Sequence, residues 1–291
     1  MKREIQRQEP TAMLKLVTTS LSSVCAAAAL PLKLAAGTLT AIGRTVFENG
    51  SVHSHRPSRE SGLKLCEGHR PYRTDDTPVL LIPGYLSPHV SWHSLVQELH
   101  LNGFSNVVCL RYNPFRMDIP AIASILAAEA RRAMLRSGSP RVHLVGYSLG
   151  GLAVRYAVQR LGMTDEVLSA VTVATPHKGS PLAHLGVGPA VRQLRSNSPF
   201  LSALPDIDMS HKVRWSLIGS RSDLVVPLSS ATAGRHVSSS SLPGPGHLLI
   251  MNSPELADAV VRRLKDARSE AIGGQDVRRR PLTAEAGLKA S

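Results

Sequence analysis

Residues 141–151 of this 291-residue chain read RVHLVGYSLGG, and this stretch decides the fold. It begins as an apolar run, passes through Gly-x-Ser-x-Gly and continues with apolar residues at helical spacing. The order predicts a strand, a sharp turn and a helix, with Ser148 at the apex of the turn. We expect Gly146 and Gly150 to flank the serine because side chains there would collide with the strand and the helix.

Apolar runs alternate with helical patterns on both sides of this stretch. Strands are predicted at residues 77–82, 107–112, 167–173 and 213–218, and helices at residues 92–99, 118–135 and 254–264. Such alternation with short connections predicts an α/β fold with a mostly parallel central sheet and helices on both faces. We place this domain at residues 78–265.

The two ends of the chain have a different character. Apolar residues recur at helical spacing within residues 1–48, with Pro31 as a break, and three interpretations stay open. They are a secretory signal, a membrane-spanning helix, and a pair of amphipathic helices that lie on a membrane or on the body of the protein. We favour the third, the amphipathic pair. Residues 49–77 indicate a polar linker, and residues 266–291 a charged, disordered tail. We expect the chain at a membrane or in the cytoplasm, with secretion as the alternative.

The composition excludes some classes of protein. The net charge is +13, but the chain has no nucleic-acid-binding motif and only 4% aromatic residues, so we expect no nucleic-acid partner. The basic residues indicate a solvated surface or, alternatively, attraction to anionic lipid. Cys25, Cys66 and Cys109 have no metal-like spacing, and we predict neither a metal site nor a structural disulfide.

A serine hydroxyl is a weak nucleophile and needs a general base that an acid orients. Where the nucleophilic serine lies on a strand–turn–helix element of this kind, the three residues follow one another along the chain in the order serine, acid, histidine. The base candidate is His247, in a loop of prolines and glycines before the last helix; His236 is the runner-up and His211 is less suitable. The acid candidate is Asp223, directly after the last predicted strand, where parallel sheets hold their catalytic groups. We therefore predict that Ser148, Asp223 and His247 act together.

Acyl transfer also needs N–H donors for the negative charge that develops on the substrate oxygen. Leu149, the residue after the nucleophile, supplies one backbone N–H. The second is expected in the loop after the first strand, where Gly84 lets the backbone turn inward and Tyr85 provides the N–H.

Five motifs carry a resemblance to a known family: LIPGY (81–85), GYSLGG (146–151), TPHKGS (175–180), DLVVP (223–227) and GH (246–247). Together they resemble bacterial lipases and esterases of the α/β-hydrolase superfamily. The resemblance implies ester hydrolysis through an acyl-serine intermediate, no cofactor, and an apolar lid near the site. Residues 181–206 are the lid candidate, with an ordinary packing helix as the alternative. The chain departs from the pattern at Pro83, where many such lipases have histidine before the oxyanion glycine.

The expected function is a serine esterase or lipase acting on an acyl ester. An acyltransferase or thioesterase would use the same three residues and differ in the acceptor or the scissile bond. A non-catalytic binding protein of the same fold is the alternative from another class, and the presence of Ser148, Asp223 and His247 argues against it. The expected partners are the ester substrate and a membrane surface contacted through residues 1–48. The oligomeric state is left open.

Overall fold

The computed structural model describes residues 76–85, 92–207, 212–244 and 246–279. The predicted helical segment at residues 1–48, all but the last two residues of the predicted linker, and residues 280–291 lie outside the described residues. The interpretations of those segments therefore remain predictions.

Strands and helices alternate along the described chain. The strands are β1 (Val79–Ile82), β2 (Val107–Cys109), β3 (Val142–Tyr147), β4 (Val167–Val173), β5 (Arg214–Ser220) and β6 (Ser238–Leu242). The helices are α1 (His93–Leu101), α2 (Ile119–Ser137), α3 (Leu149–Arg160), α4 (Pro189–Gln193), α5 (Pro199–Ser202), α6 (Leu228–Ala231) and α7 (Pro254–Arg279). These strands form one sheet in the order β2-β1-β3-β4-β5-β6, and every neighbouring pair is parallel. The predicted α/β class with a parallel sheet is confirmed.

The sheet is covered on both faces, which is why its central strands are continuous apolar runs. Successive residues of a strand point to opposite faces. Leu80 and Leu144 accordingly pack with α2 and α3 on one side, whereas Leu81 and Val145 pack with α1 and α7 on the other. Burying a side chain of this size stabilises the fold by about 1.5–3 kcal/mol relative to leaving it in water.

Local signals set the ends of α2. The Asp118 carboxylate caps its first turn by accepting a hydrogen bond from the Ala121 N–H at 2.9 Å, and Pro120 fits there because it needs no N–H partner. The helix ends at Gly138, which has a left-handed backbone with φ of 68°. The described helix therefore begins and ends where the sequence places its caps.

The structure differs from the sequence-based expectations at several points. Strand β6 was not predicted, because its serine run carries no apolar signal; it lies at the edge of the sheet, where a strand need not be buried. Strand β2 ends at Cys109 and not at residue 112. Cys109 is also disulfide-bonded, contrary to the prediction of no structural disulfide. Helix α7 continues through residues 266–279, which were predicted to be disordered.

A tertiary contact explains the longer α7. Ala267 is buried, and the Arg268 guanidinium lies 4.3 Å from the centre of the Phe104 ring. Arg268 also donates to the Asp76 carboxylate at 3.1 Å. These contacts hold the helix, beyond residue 265, against the segments that precede β1 and β2, and composition alone does not reveal them.

The segment predicted as a lid, residues 181–206, is not one packing helix. It contains a 3-10 turn (Pro181–His184) followed by α4 and α5. Ala190 and Val191 are buried against the α2–α3 side of the core. No helix in the described ranges is both long and apolar enough to cross a bilayer.

Candidate active site

Ser148 lies between the end of β3 and the start of α3, and its backbone is unusual for a residue with a side chain. Its φ is 52° and its ψ is −119°. The N–H of Ser148 donates to the Val173 carbonyl at 2.8 Å, and its carbonyl accepts from the Gly151 N–H at 3.0 Å. A backbone of this kind costs on the order of 1–3 kcal/mol and persists because its surroundings hold it. The turn presents the hydroxyl at the carboxyl edge of the sheet.

The two glycines of the motif are required by close backbone contacts. A Cβ at Gly146 would lie 2.6 Å from the Gly151 Cα. A Cβ at Gly150 would overlap the carbonyl oxygen of Ile82 and lie 2.5 Å from that of Pro83. No real Cβ tolerates these distances, so β3, α3 and the loop after β1 meet this closely only with glycine at both positions.

The structure brings Ser148, His247 and Asp223 together. His247 Nε2 lies 3.0 Å from Ser148 Oγ, and His247 Nδ1 lies 2.7 Å from Asp223 Oδ2. The Asp223 side chain is fully buried, and its Oδ1 accepts from the N–H groups of Val225 and Val226, both at 2.8 Å. Because an ionised carboxylate only accepts, Nδ1 carries the proton and Nε2 has the lone pair that faces the serine. The imidazole can therefore take the hydroxyl proton.

Tyr147 holds the loop that carries this imidazole. Its phenol donates to the His247 carbonyl at 2.6 Å, and the two rings lie 5.2 Å apart, centre to centre. Burial and the negative charge of Asp223 raise the pKa of Tyr147, so the phenol stays protonated and remains a donor. The sequence reasoning missed this residue, whose only signal is its position inside the Gly-x-Ser-x-Gly motif.

The loop after β1 passes over the serine. A Cβ at Gly84 would lie 3.1 Å from the Ser148 Cβ and 2.9 Å from the Tyr147 ring, so this backbone is in direct contact with the turn. The Tyr112 phenol donates to the Pro83 carbonyl, and burial raises its pKa. Tyr112 thus supports the loop at the position where the motif departs from its usual histidine. The sequence reasoning missed Tyr112 because it lies in the loop after another strand.

Tyr85 connects this loop to the segment at residues 181–206. Its phenol donates to the Val187 carbonyl at 2.6 Å, and its ring lies 5.1 Å from the Phe115 ring. Partial burial raises the pKa of Tyr85, so this donor stays protonated at neutral pH. Leu149 is fully buried and begins α3, where N–H groups have no partner within the helix.

Arg155, on α3, contacts the chain just before this segment and near the segment's end. Its guanidinium donates to the carbonyls of His177 at 3.1 Å and Pro205 at 2.7 Å. Burial lowers the pKa of Arg155 to about 10, which leaves it charged at neutral pH. His177 is buried against Thr172, and burial together with the Arg155 charge lowers its pKa, so it is a neutral structural residue.

The other histidines considered from the sequence are not part of this group. His236 is exposed, and His211 lies outside the described residues. Among the residues that the structure describes, no three or more His, Cys, Asp and Glu side chains form a group that could hold a metal ion.

Comparison with known proteins agrees with this architecture. A family model described as the alpha/beta hydrolase fold matches residues 77–199. The chain is similar to the mature lipase BlEst2 of Bacillus licheniformis, with 18% identity and a TM-score of 0.56, over 69% of this chain and 95% of that one. It is also similar to the phospholipase PlaB of Legionella pneumophila, with 16% identity and a TM-score of 0.57, over 69% of this chain and 62% of that one.

A third similar structure is lipase B of Aspergillus fumigatus, with 17% identity and a TM-score of 0.50, over 62% of this chain and 47% of that one. The chain thus spans less than two thirds of PlaB and of the fungal lipase. At these identities the likeness establishes the fold, and the resemblance drawn from the sequence motifs is confirmed at that level.

Proposed function

Because the chain has the α/β-hydrolase fold, we propose that it is a serine hydrolase that cleaves carboxylic esters of lipid or acyl type. The observation that carries the proposal is the pair of distances at His247: 3.0 Å to Ser148 Oγ and 2.7 Å to Asp223 Oδ2. Both sides of one imidazole are engaged, as general-base activation of a hydroxyl requires.

In the first step, Ser148 Oγ attacks the carbonyl carbon of the ester while His247 Nε2 accepts the hydroxyl proton. Asp223 stabilises the resulting imidazolium through its hydrogen bond with Nδ1 and remains ionised. The two backbone N–H groups that hold its other oxygen keep the carboxylate oriented.

The tetrahedral intermediate carries a negative charge on the former carbonyl oxygen. We assign the N–H groups of Leu149 and Tyr85 as its donors, because Leu149 begins α3 and the Tyr85 loop lies against Ser148. The positive end of the α3 dipole favours the same charge. Removal of one such donor typically costs about 10²–10³-fold in kcat.

The intermediate collapses when the carbon–oxygen bond to the alcohol breaks and His247 Nε2–H protonates the departing oxygen. A water molecule, deprotonated by the same nitrogen, then attacks the acyl-serine carbonyl carbon. The bond from that carbon to Ser148 Oγ breaks, Nε2–H returns its proton to Oγ, and the carboxylic acid leaves. An acyltransferase would accept an alcohol in place of this water, and a thioesterase would release a thiol.

Residues 181–206 are the proposed lid over the site. The Tyr85–Val187 hydrogen bond supports this, because it links the segment to the loop that supplies the second oxyanion donor. The Arg155 contacts fix the chain just before the segment and near its end, so that movement of its middle would open the site without detaching it.

A series of p-nitrophenyl esters of increasing acyl length tests the proposal. We expect hydrolysis by the wild type and a loss on the order of 10⁴–10⁶-fold in kcat for Ser148→Ala. Ser169→Ala is the matched control, because Ser169 Oγ also lies beside a buried histidine, 2.7 Å from His143 Nδ1. Equal rates for the wild type and Ser148→Ala would remove the proposal, and added alcohol or thioester analogues would separate the transferase and thioesterase alternatives.

A further inference from the structure

The exposed large hydrophobic side chains of the described chain are concentrated at one edge of the sheet. Nine such side chains are exposed, and seven of them lie in loops that follow the carboxyl ends of the strands. We call these seven the mouth face: Phe115, Leu182, Leu185, Val187, Leu224, Leu248 and Leu249. Leu224 directly follows Asp223 and is 88% exposed, and Leu248 directly follows His247 and is 71% exposed. The exposed apolar surface therefore surrounds the site.

The remaining two exposed leucines lie elsewhere. Leu101 and Leu135 are in the last turns of α1 and α2, which lead back to the amino ends of the strands. A random scatter of exposed apolar residues would need no explanation, but seven around one opening form a patch that indicates a binding surface.

The charges of the same loops are uneven. In the described segments that follow the carboxyl ends of the strands, including residues 174–202, there are six arginines and lysines, of which five are exposed: Arg111, Arg116, Lys178, Arg192 and Arg221. Arg221 lies two residues before Asp223. The mouth face is therefore bordered by positive charge.

The same described segments contain two acids, and each is engaged within the fold. Asp118 caps α2, and Asp223 holds His247. By contrast, the described loops that lead into the amino ends of the strands carry four acids and three cations, namely Asp76, Asp165, Glu166, Asp206, Arg141, Lys212 and Arg235. The charge asymmetry between the two edges matches a partner that is anionic.

We propose that the mouth face docks on the surface of an anionic phospholipid bilayer. The leucines enter the boundary between headgroups and acyl chains, and the bordering arginines and lysines contact the lipid phosphates. An apolar centre with a basic border suits a lipid surface, whereas a nucleic acid would require basic residues interleaved with stacking aromatics. The proposal rests on the proposed function in one respect, that the opening it surrounds is that of a lipid-ester site.

Vesicle co-sedimentation of the full chain tests the docking. The protein carries Ser148→Ala so that the lipids remain intact, and the vesicles contain either phosphatidylcholine alone or phosphatidylcholine mixed with phosphatidylglycerol. We expect binding to the mixed vesicles, weaker binding to the neutral ones, and a decline with added salt.

Two pairs of variants locate the docking face. Leu224→Ser combined with Leu249→Ser is expected to weaken binding by roughly tenfold or more, since two apolar side chains lose their place in the bilayer. Leu101→Ser combined with Leu135→Ser is the matched control and is expected to bind as the parent does. In the same way, Arg221→Gln combined with Lys178→Gln is expected to lower the affinity for mixed vesicles about fivefold for each charge removed. Arg136→Gln with Arg262→Gln, exposed cations of α2 and α7, controls for net charge.

The outcomes separate this proposal from the proposed function. Equal loss in both leucine pairs, or no loss in either, would overturn docking through the mouth face and would assign any binding to another part of the chain. Absence of binding to mixed vesicles would also overturn it. Hydrolysis of a soluble p-nitrophenyl ester by the Leu224→Ser and Leu249→Ser protein with Ser148 intact shows whether the site itself survives. Failure of that hydrolysis in the wild type would remove the enzyme proposal while leaving the vesicle result standing.

Discussion

Tyr147→Phe is expected to slow catalysis without weakening substrate binding. The change removes the hydroxyl that donates to the His247 carbonyl at 2.6 Å and keeps the ring that lies 5.2 Å from the imidazole. A buried carbonyl left without its donor costs about 1–3 kcal/mol. Gly244 and Gly246 precede His247, and the backbone of glycine is freer than that of other residues.

The loss should appear mainly in kcat, because the phenol touches the loop and not the substrate. If the misplaced imidazole raises the activation free energy by about 1–2 kcal/mol, kcat falls roughly 5- to 30-fold. KM for a soluble p-nitrophenyl ester is expected to stay within about twofold. Steady-state kinetics across pH, with urea unfolding in parallel, provide the measurement.

Tyr156→Phe is the matched control for this prediction. It removes a hydroxyl from α3, where the Tyr156 ring stacks on Phe200 with centres 5.8 Å apart, and it is expected to leave kcat unchanged. Unchanged kcat in Tyr147→Phe, together with lower stability towards urea, would refute a positioning role and leave a purely structural one. A change confined to KM would refute it as well.

Three further predictions follow from contacts already described. Gly150→Ala should lower the free energy of unfolding by at least about 3 kcal/mol and abolish activity, because its Cβ overlaps the Ile82 carbonyl; Gly138→Ala, with open space around the added Cβ, should cost only about 1 kcal/mol in urea unfolding. Asp223→Asn should lower kcat on the order of 10⁴-fold with little change in KM, as the same substitution does in a well-studied serine protease triad; a loss below tenfold in steady-state kinetics would argue against the assigned role. His143 is neutral in the fold because burial, and secondarily the Arg268 charge, lower its pKa to about 3, so stability falls as the pH drops from about 6.5 towards 3. Between pH 7 and pH 5, the free energy of unfolding measured with urea should therefore fall by about 2 kcal/mol less in His143→Gln than in the wild type. Equal decreases in the two proteins would contradict this.

Much of the fold follows from local sequence patterns. Strand β4 begins and ends at the predicted residues, because a run of valines and small residues has no competing interpretation. Strand β6 escaped prediction because serines provide no periodic signal, and its place at the sheet edge becomes evident only from its pairing with β5. The second half of α7 was missed because its partners, Phe104 and Asp76, are far away in the sequence.

The site divides in the same way. Ser148 is evident from its motif, and Asp223 and His247 follow from the order of elements along the chain, because the ends of parallel strands meet at one edge. The phenols of Tyr147, Tyr112 and Tyr85 form hydrogen bonds with carbonyls of distant residues, and no local pattern predicts such pairs. Sequence reasoning thus found the residues proposed to react, and the structure adds those that hold them in position.

The most direct test is to treat the wild type with a fluorophosphonate and map the modified peptide by mass spectrometry. A hydroxyl activated by His247 should become covalently bound to phosphorus at Ser148, with the labelling rate reduced at least about 10³-fold in His247→Gln. A modification at any other residue, or equal labelling of Ser148 in the wild type and His247→Gln, would contradict the assignment of Ser148 as a nucleophile activated through His247 and Asp223.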